Sequence, residues 1–313
     1  MSEQRTAKFQ RNEQLDILLK GLNSDLYVAE SKLLNRYSNR TMDFPLIIVM
    51  GPLRSGTTLF TQWLANTGLV AYPTNLLSRF YQAPILGAKI QLLLTDQRYN
   101  FRDELGEFAQ QVEYISENGK TKGVLAPNEF WYFWRRFLAD SSRDIWSDDE
   151  LRQTMDVQTM KAELIGMMDV FQKPFLAKGM LFNYNIPFLD SVLDKVIFVR
   201  IKRDISTNIE SVLRARERQL GSRHDWYSFK IPEYEALKDL SPEEQALGQV
   251  NSINRAIENG LEHVSENRKL IVQYEDFCEN PKDFFYEILA RLGMKDEIYN
   301  GVNNFKVSDN KAS

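Results

Sequence analysis

The stretch IIVMGPLRSGTTLFTQWL, residues 47–64, runs from an apolar segment through a glycine-containing loop into a helical pattern. A glycine-rich loop between a strand and a helix can bind an anion, because its backbone N–H groups and the helix N-terminus point towards a bound phosphate. The phosphate-loop pattern G-x-x-x-x-G-K-[ST] is matched at Gly51, Gly56 and Thr58. Thr57 stands where the lysine belongs, and Arg54 lies inside the loop. The stretch therefore predicts a phosphate site without the lysine that reaches the γ-phosphate of ATP.

Three residues with hydroxyl side chains lie in the predicted phosphate loop and at the start of the helix that follows it. Ser55, Thr57 and Thr58 can each add a hydrogen-bond donor to those of the backbone. The alternative is a glycine-containing turn whose serine and threonines only cap a helix. We favour the phosphate-binding interpretation, because the loop stands between a strand pattern and a helix pattern.

Four short apolar runs are typical of buried strands, at residues 45–50, 174–179, 195–201 and 269–274. Helical patterns lie before, between and after them, at 12–36, 204–219, 242–265 and 281–292. This alternation predicts an α/β fold, a doubly wound parallel sheet like that of P-loop NTPases. The interval 76–172 is mostly helical in pattern and is expected to form a helical insertion, a lid or substrate subdomain, between the first and second core strands. We expect residues 1–313 to form one domain, because no linker or repeat interrupts them.

Composition excludes several classes of protein. The formal net charge of −4 argues against a dedicated nucleic-acid-binding protein. The chain has a single cysteine, Cys278, and two histidines far apart in sequence, His224 and His263, so no cysteine- or histidine-based metal site is expected. The N-terminus is polar and no run of 18 apolar residues occurs, so we expect neither a signal peptide nor a membrane span, and a cytoplasmic location.

The strand at 195–201 leads into basic residues. Lys202 and Arg203 follow it before Asp204 appears. A P-loop kinase would need an acidic residue at such a strand end to hold Mg²⁺. Cations in this place instead favour a second ligand phosphate that is bound directly by protein.

The segments PLRSGTT (52–58) and FVRIKRDISTNIESVL (198–213) together resemble the sulfotransferases that use 3′-phosphoadenosine 5′-phosphosulfate. The resemblance covers about residues 45–295. It implies that the loop residues Arg54, Ser55, Gly56, Thr57 and Thr58 hold the 5′-phosphosulfate of the donor.

The resemblance implies further donor contacts. Arg203 and Ser211, eight residues apart, would bind the 3′-phosphate. Tyr274, in a Y-E-D-F segment after the last core strand, would touch the adenine. Lys178, at the end of the second core strand, would lie beside the transferred group and act in catalysis with Arg54.

The chain also departs from the family pattern. Leu59 replaces the tryptophan on which cytosolic members stack the adenine, and no histidine follows Lys178 to act as base. Thr74 and Asn75 stand where other members have a glutamate base. The C-terminal basic segment that closes over the 3′-phosphate is not recognisable; its possible substitutes are Lys306 and Lys311.

The remaining candidate for the general base is Glu129, in LAPNEFWYFWRRFL (125–138), which resembles a segment of some bacterial members. Aromatic neighbours would disfavour its ionised form and so favour proton uptake, and their faces could stack on a sugar. Two alternatives stay open. The aromatic residues could be a helical core stripe with Glu129 in the first turn, or His224 could be the base.

The sequence thus predicts a bacterial sulfotransferase that moves a sulfuryl group to a hydroxyl or amine, on a glycan or small metabolite. One alternative is a P-loop kinase that depends on Mg·ATP. Another is a nucleotide-binding protein without catalytic activity. The acceptor and the oligomeric state are not predicted.

Overall fold

The four apolar runs form one parallel sheet in the computed structural model, which describes residues 5–6, 9–10, 12–102, 104–108, 114, 116–117, 120–140 and 143–307. The strands are β1 (Leu46–Met50), β4 (Phe175–Lys178), β5 (Val196–Lys202) and β6 (Lys269–Gln273). Their order across the sheet is β4-β1-β5-β6, and every neighbouring pair is parallel. Two short strands in the insertion, β2 (Ser116–Glu117) and β3 (Lys120–Thr121), pair antiparallel. The four-strand sheet confirms the predicted fold class.

Helices fill most of the remaining described chain. The helices before β5 are α1 (Glu13–Leu34), α2 (Thr57–Asn66), α3 (Pro84–Thr95), α4 (Trp131–Arg135), α5 (Asp148–Thr154), α6 (Val157–Phe171) and α7 (Ile186–Val192). Those after it are α8 (Ile205–Leu220), α9 (Tyr234–Leu237), α10 (Pro242–Leu261), α11 (Tyr274–Glu279) and α12 (Pro281–Leu292). The predicted helix at 242–265 ends at Leu261, and Tyr274, expected to close a strand, is instead the first residue of α11.

The sheet separates two apolar cores. Alternate residues of a strand point to opposite faces, and β1 is buried along its whole length. Leu46, Ile48 and Met50 contribute to one core, which also contains residues of α6, α7, α8 and α10. Ile47 and Val49 contribute to the other, with residues of α2, α11 and α12. Helices therefore cover both faces, as a doubly wound sheet requires.

The carboxyl ends of the strands meet at one edge of the sheet. The chain leaves β1 into the loop at 51–56, with β4 on one side of β1 and β5 on the other. Ligands of open α/β sheets bind at such a switch in strand order. The fold therefore directs attention to the loop after β1 and to the residues that end β4, β5 and β6.

Helices α3 to α6 lie in the chain between α2 and β4, which agrees with the predicted helical insertion. Helix α3 packs against α6, and α1 packs against both of them. The pair β2–β3 is the part of the insertion that the helical pattern did not predict. None of the helices in the described part of the chain is both long enough and apolar enough to cross a bilayer.

Candidate active site

The loop after β1 has a backbone that gathers N–H groups. Arg54 has φ 63° and Gly56 has φ 105°, so left-handed residues alternate with Ser55 before α2 begins at Thr57. Such an alternation turns successive N–H groups towards a common concavity that binds anions. Asn183 holds the start of the loop, because its side chain accepts from the Gly51 N–H (3.3 Å) and donates to the Gly51 carbonyl (3.2 Å).

The hydroxyl of Ser55 is buried inside this loop. Its Oγ atom has no hydrogen-bond partner among the residues that the structure describes, and its side chain is fully shielded from solvent. A Cβ built at Gly51 would meet that oxygen at 2.7 Å, which places the hydroxyl against the loop backbone. A buried hydroxyl without a partner costs free energy unless a ligand satisfies it. Its position therefore fits a bound anion.

Arg54, Arg203 and Ser211 come together although they lie on three different elements. The Arg203 Nη1 atom donates to the Arg54 carbonyl at 2.9 Å, and the Arg54 Nε atom lies 3.4 Å from Ser211 Oγ. Asn208, one turn before Ser211 on α8, donates to the Leu53 carbonyl at 2.8 Å. The start of α8 is thus bound to the loop, which keeps two guanidinium groups at one edge of the sheet.

Tyr274 lies between the loop and Arg203. A Cβ at Gly56 would come within 2.2 Å of the Tyr274 ring, so glycine is the residue that lets the ring approach. The Arg203 guanidinium lies 4.5 Å from the centroid of the same ring. Tyr274 is only 6% exposed. The ring therefore packs against Gly56 and supports Arg203 by a cation–π contact.

Lys178 is the last residue of β4, and its ammonium lies beside the start of α2, the helix that follows the loop. Its Nζ atom donates to Thr58 Oγ1 at 2.7 Å and to Glu129 Oε1 at 3.1 Å. The side chain is 4% exposed. An ammonium has three N–H donors, and these two hydrogen bonds are those found in the described part of the chain. One donor is therefore available to a ligand.

Glu129 lies two residues before the start of α4 at Trp131 and not within the helix. Its Oε2 atom accepts from the indole N–H of Trp131 at 2.6 Å, while Oε1 accepts from Lys178. The next residue, Phe130, has φ 57°, a left-handed conformation that is uncommon for an aromatic residue. Strained residues of this kind cluster at functional sites.

The expected aromatic surroundings of Glu129 need correction. Phe130, Phe133, Trp134 and Phe137 are buried in the core and present no face to a sugar. Trp131 remains, and its ring stacks on Phe229 with centroids 5.4 Å apart. The carboxylate is instead contacted by the ammonium of Lys178 and the indole N–H of Trp131.

Comparison with known proteins identifies the family. The family model described as "Sulfotransferase family" matches residues 45–297, which is most of the chain. The chain belongs to the sulfotransferase family. A search of curated protein sequences found no match.

Solved structures give this sulfotransferase fold neighbours. Sulfotransferase STF1 from Mycobacterium tuberculosis H37Rv is 13% identical, with a TM-score of 0.58 over 95% of this chain and 80% of that one. Sulfotransferase STF9 from Mycobacterium avium is 12% identical, with a TM-score of 0.57 over 94% and 75% of the two chains. At such identities the likeness shows the fold, which agrees with the sheet described above.

The site of this sulfotransferase is rich in positive charge. Burial lowers the pKa of the Arg54 guanidinium, and the nearby Arg203 and Arg218 act in the same direction. A lowered pKa in a cation means that its charged form lacks part of the stabilisation it has in water. An anionic ligand would supply that stabilisation.

Tyr227 is a site residue that sequence reasoning missed. Burial raises the pKa of its phenol, which is close enough to Arg54 and Glu129 to interact with both electrostatically. The Tyr227 hydroxyl accepts a hydrogen bond from Gln219 Nε2 at 2.9 Å, and its backbone carbonyl accepts one from Gln249 Nε2 at 2.9 Å. No motif marks this tyrosine, since it stands in the loop between α8 and α9 and only the fold carries it to the site.

Two other groups of residues stand apart from this cluster. His224, the alternative base, is exposed, and within the described residues its hydrogen bond is a backbone one to Ser222 Oγ. Lys306 is exposed and follows Phe305, which donates to the Cys278 carbonyl and stacks on Phe277. Lys311 lies outside the described residues. Among the described residues, Lys306 makes no hydrogen bond or ion pair with Ser211.

Proposed function

We propose that this protein transfers a sulfuryl group from 3′-phosphoadenosine 5′-phosphosulfate to a hydroxyl or amine of a small-molecule or glycan acceptor. The observation that carries the proposal is the 2.7 Å hydrogen bond from Lys178 Nζ to Thr58 Oγ1. In P-loop kinases and NTPases the hydroxyl at this motif position binds Mg²⁺. Here the hydroxyl of Thr58 instead accepts a hydrogen bond from the Lys178 ammonium. This arrangement suits a donor whose binding does not depend on Mg²⁺.

The residues around the loop fit such a donor. The Ser55 hydroxyl, which has no hydrogen-bond partner among the described residues, and the loop N–H groups offer donors to one phosphate with its sulfate. Arg203 and Ser211 offer a second, separate anion site, suited to the 3′-phosphate. Tyr274 holds Arg203 and borders the adenine side of that site.

The donor supplies an activated sulfuryl group whose sulfur–oxygen bond to phosphate breaks during transfer. Arg54, Lys178 and the loop N–H groups stabilise the charge that develops on the leaving phosphate oxygen. Glu129 takes the proton that the acceptor hydroxyl or amine releases as its oxygen or nitrogen bonds to sulfur. Lys178 contacts both Thr58, beside the loop, and Glu129, so it aligns the base that deprotonates the acceptor with the leaving group.

The acceptor side is supplied by the insertion at 76–172, because Glu129 and Trp131 belong to it. The Trp131 indole N–H contacts the carboxylate, and the Tyr227 phenol lies near enough to interact with it electrostatically. Aromatic groups with a polar tip suit an acceptor that combines rings or sugar faces with hydroxyl groups. We therefore propose a glycan or a small metabolite as acceptor.

A binding measurement tests the donor before any acceptor is known. Adenosine 3′,5′-bisphosphate without Mg²⁺ should raise the melting temperature, because a ligand that binds only the native state stabilises it. ATP with Mg²⁺ should raise it much less. Equal or greater stabilisation by Mg·ATP would replace the sulfotransferase donor with that of a kinase.

A second measurement tests turnover. Mass spectrometry across sugars, phenols and lipids should detect a product heavier by one sulfuryl group that appears only when the donor is added. Binding of the bisphosphate with no product on any acceptor class would favour a nucleotide-binding protein without catalysis.

A further inference from the structure

Thr74 and Asn75, which stand where other family members have a base, contact the loop that carries Glu129. The Asn75 N–H donates to the Ala126 carbonyl at 2.9 Å, and the Asn128 N–H donates to the Pro73 carbonyl at 2.7 Å. Thr74 and Pro127 form a β-bridge between the same two segments. The backbone of residues 73–75 thus runs beside that of residues 126–128.

The two asparagine side chains continue this connection up to Glu129. Asn128 Oδ1 accepts from the Phe130 N–H at 2.9 Å, and its Nδ2 donates to Asn75 Oδ1 at 2.9 Å. Asn75 Nδ2 in turn donates to the Gly123 carbonyl at 2.9 Å. Phe130 is the residue in the left-handed conformation directly after Glu129. The amide chain therefore ends at the peptide that sets the direction of the glutamate.

Each amide in this chain has a defined orientation. The Phe130 N–H requires an acceptor, so Asn128 must turn its oxygen towards it and its Nδ2 towards Asn75. The Gly123 carbonyl requires a donor, so Asn75 must turn Nδ2 towards it and leave Oδ1 for Asn128. A carboxylate at either position would bring two acceptor oxygens together. The pair is therefore specified as two amides, not merely as two polar residues.

We infer that Asn128, held by Asn75, is a positioning residue that aims the Glu129 carboxylate at Lys178 and Trp131. The inference rests on the proposed function, since it assigns the direction of the proposed base. Neither asparagine touches the reacting atoms. Their effect is to hold Glu129 in the geometry of its two hydrogen bonds, at 3.1 Å to Lys178 and 2.6 Å to Trp131.

The test combines turnover with the indole N–H resonance of Trp131, assigned in ¹⁵N-labelled protein through Trp131→Phe. Asn128→Ala should lower kcat by about 10–100-fold, because a misplacement near 1 Å can cost about that much. Affinity for adenosine 3′,5′-bisphosphate should not change. The Trp131 resonance should move in Asn128→Ala and also in Glu129→Gln, since both alter the acceptor of that N–H.

Further variants distinguish an effect on the position of Glu129 from effects on folding and on charge. Asn128→Asp and Asn75→Asp should lower kcat as well, and the double variant Asn75→Ala with Asn128→Ala should lose less than the product of the single losses. Asn100→Asp is the matched control, because it adds the same charge in the same insertion. Like Asn128, Asn100 uses its Oδ1 atom to accept a hydrogen bond from a backbone N–H, that of Leu105 at 3.3 Å. It should leave kcat and the Trp131 resonance unchanged.

Two results would overturn the inference. One is wild-type kcat with an unmoved Trp131 resonance in Asn128→Ala. The other is a loss confined to the aspartate variants, which would show an effect of charge rather than of position. If the wild-type protein transferred no sulfuryl group while the resonance still moved in Asn128→Ala, the positioning of Glu129 would stand and the proposed function would fall.

Discussion

The Nζ atom of Lys178 lies 3.1 Å from the Oε1 atom of Glu129, although the two residues are 49 positions apart in the chain. This ion pair joins the end of a core strand to the insertion. Lys178 is almost completely buried, whereas Glu129 is a quarter exposed. The carboxylate is therefore open to solvent, where the proposed acceptor would enter, while the ammonium faces the loop that is proposed to hold the donor.

Glu129→Gln should lower kcat by about 10²–10⁴-fold, the usual contribution of a positioned base. Glutamine keeps the size of the side chain but offers one acceptor oxygen to the two donors, Lys178 and Trp131, and it takes up no proton at neutral pH. Affinity for adenosine 3′,5′-bisphosphate, measured by calorimetry on the same preparation, should stay at the wild-type value. Turnover within a few-fold of wild type would remove Glu129 from the mechanism and direct attention to His224.

Arg203→Ala should weaken binding of adenosine 3′,5′-bisphosphate by about 2–5 kcal/mol, as the loss of one partner of a desolvated charge pair does. Adenosine 5′-monophosphate, which lacks the 3′-phosphate, should bind as before. Lys202→Ala is the matched control, because it removes the neighbouring cation at the same strand end. Equal losses for both nucleotides would show that Arg203 only supports the Arg54 carbonyl.

Ser55→Ala should weaken the bisphosphate by about 1.5–3 kcal/mol, the range for a hydrogen bond to a charged group. The melting temperature without ligand should not fall, because the hydroxyl has no hydrogen-bond partner among the described residues. Thr61→Val provides the contrast. It removes a buried hydroxyl that donates to the Thr57 carbonyl at 2.7 Å and should leave bisphosphate affinity unchanged. A drop in melting temperature without any loss of affinity would assign Ser55 to the fold.

Gly56→Ala should destabilise the protein by about 1–3 kcal/mol more than Gly68→Ala, the usual cost of overpacking. Both glycines have positive φ, 105° and 74°, so both substitutions carry the strain of the left-handed region. A Cβ at Gly56 would strike the Tyr274 ring, whereas one at Gly68 has no heavy atom within 4 Å. Urea unfolding of the two variants measures the difference. Equal stabilities would show that the Tyr274 ring can move away from the loop.

Asp204 should give α8 a stability contribution that depends on pH. Its side chain caps the helix, and hydrogen bonds from the Ser206 hydroxyl and the Thr207 N–H lower its pKa from 3.8 to about 2. A group whose pKa is lower in the folded state stabilises the fold above its unfolded pKa. The contribution is therefore complete above about pH 4 and disappears as the pH falls through about 2.

The difference in unfolding free energy between wild type and Asp204→Ala measures this contribution. It should be about 1 kcal/mol at pH 7, typical of a helix cap, and should shrink between pH 4 and pH 2. Ser206→Ala removes the hydroxyl that lies 2.6 Å from Asp204 Oδ1, so the loss should then begin at a higher pH. A difference that stayed constant with pH would show that the charge of Asp204 does not contribute.

The sheet, the loop after β1 and the positions of Arg203 and Ser211 were largely predictable from the sequence. The loop at 51–56 with its helix, and Arg203 with Ser211, are read from residues close together in the chain, where strand and helix geometry sets their relative positions. The burial of the strands on both faces follows from their continuous apolar runs. These short-range features sufficed for the α/β fold and for the resemblance to sulfotransferases, which the family comparison confirms.

The surroundings of Glu129 were decided by tertiary structure. The sequence placed Glu129 among aromatic residues, but packing turned most of those rings into the core and left the carboxylate to Lys178 and Trp131. The resemblance assigns Tyr274 to the adenine, and the fold packs its ring against Gly56 and beside Arg203. The contact of Glu129 with Lys178 and those of Tyr274 join segments far apart in the chain. The sequence by itself determines which segments are apolar and where the charges stand along the chain, whereas the packing of the insertion and of α11 against the sheet determines which of these residues meet.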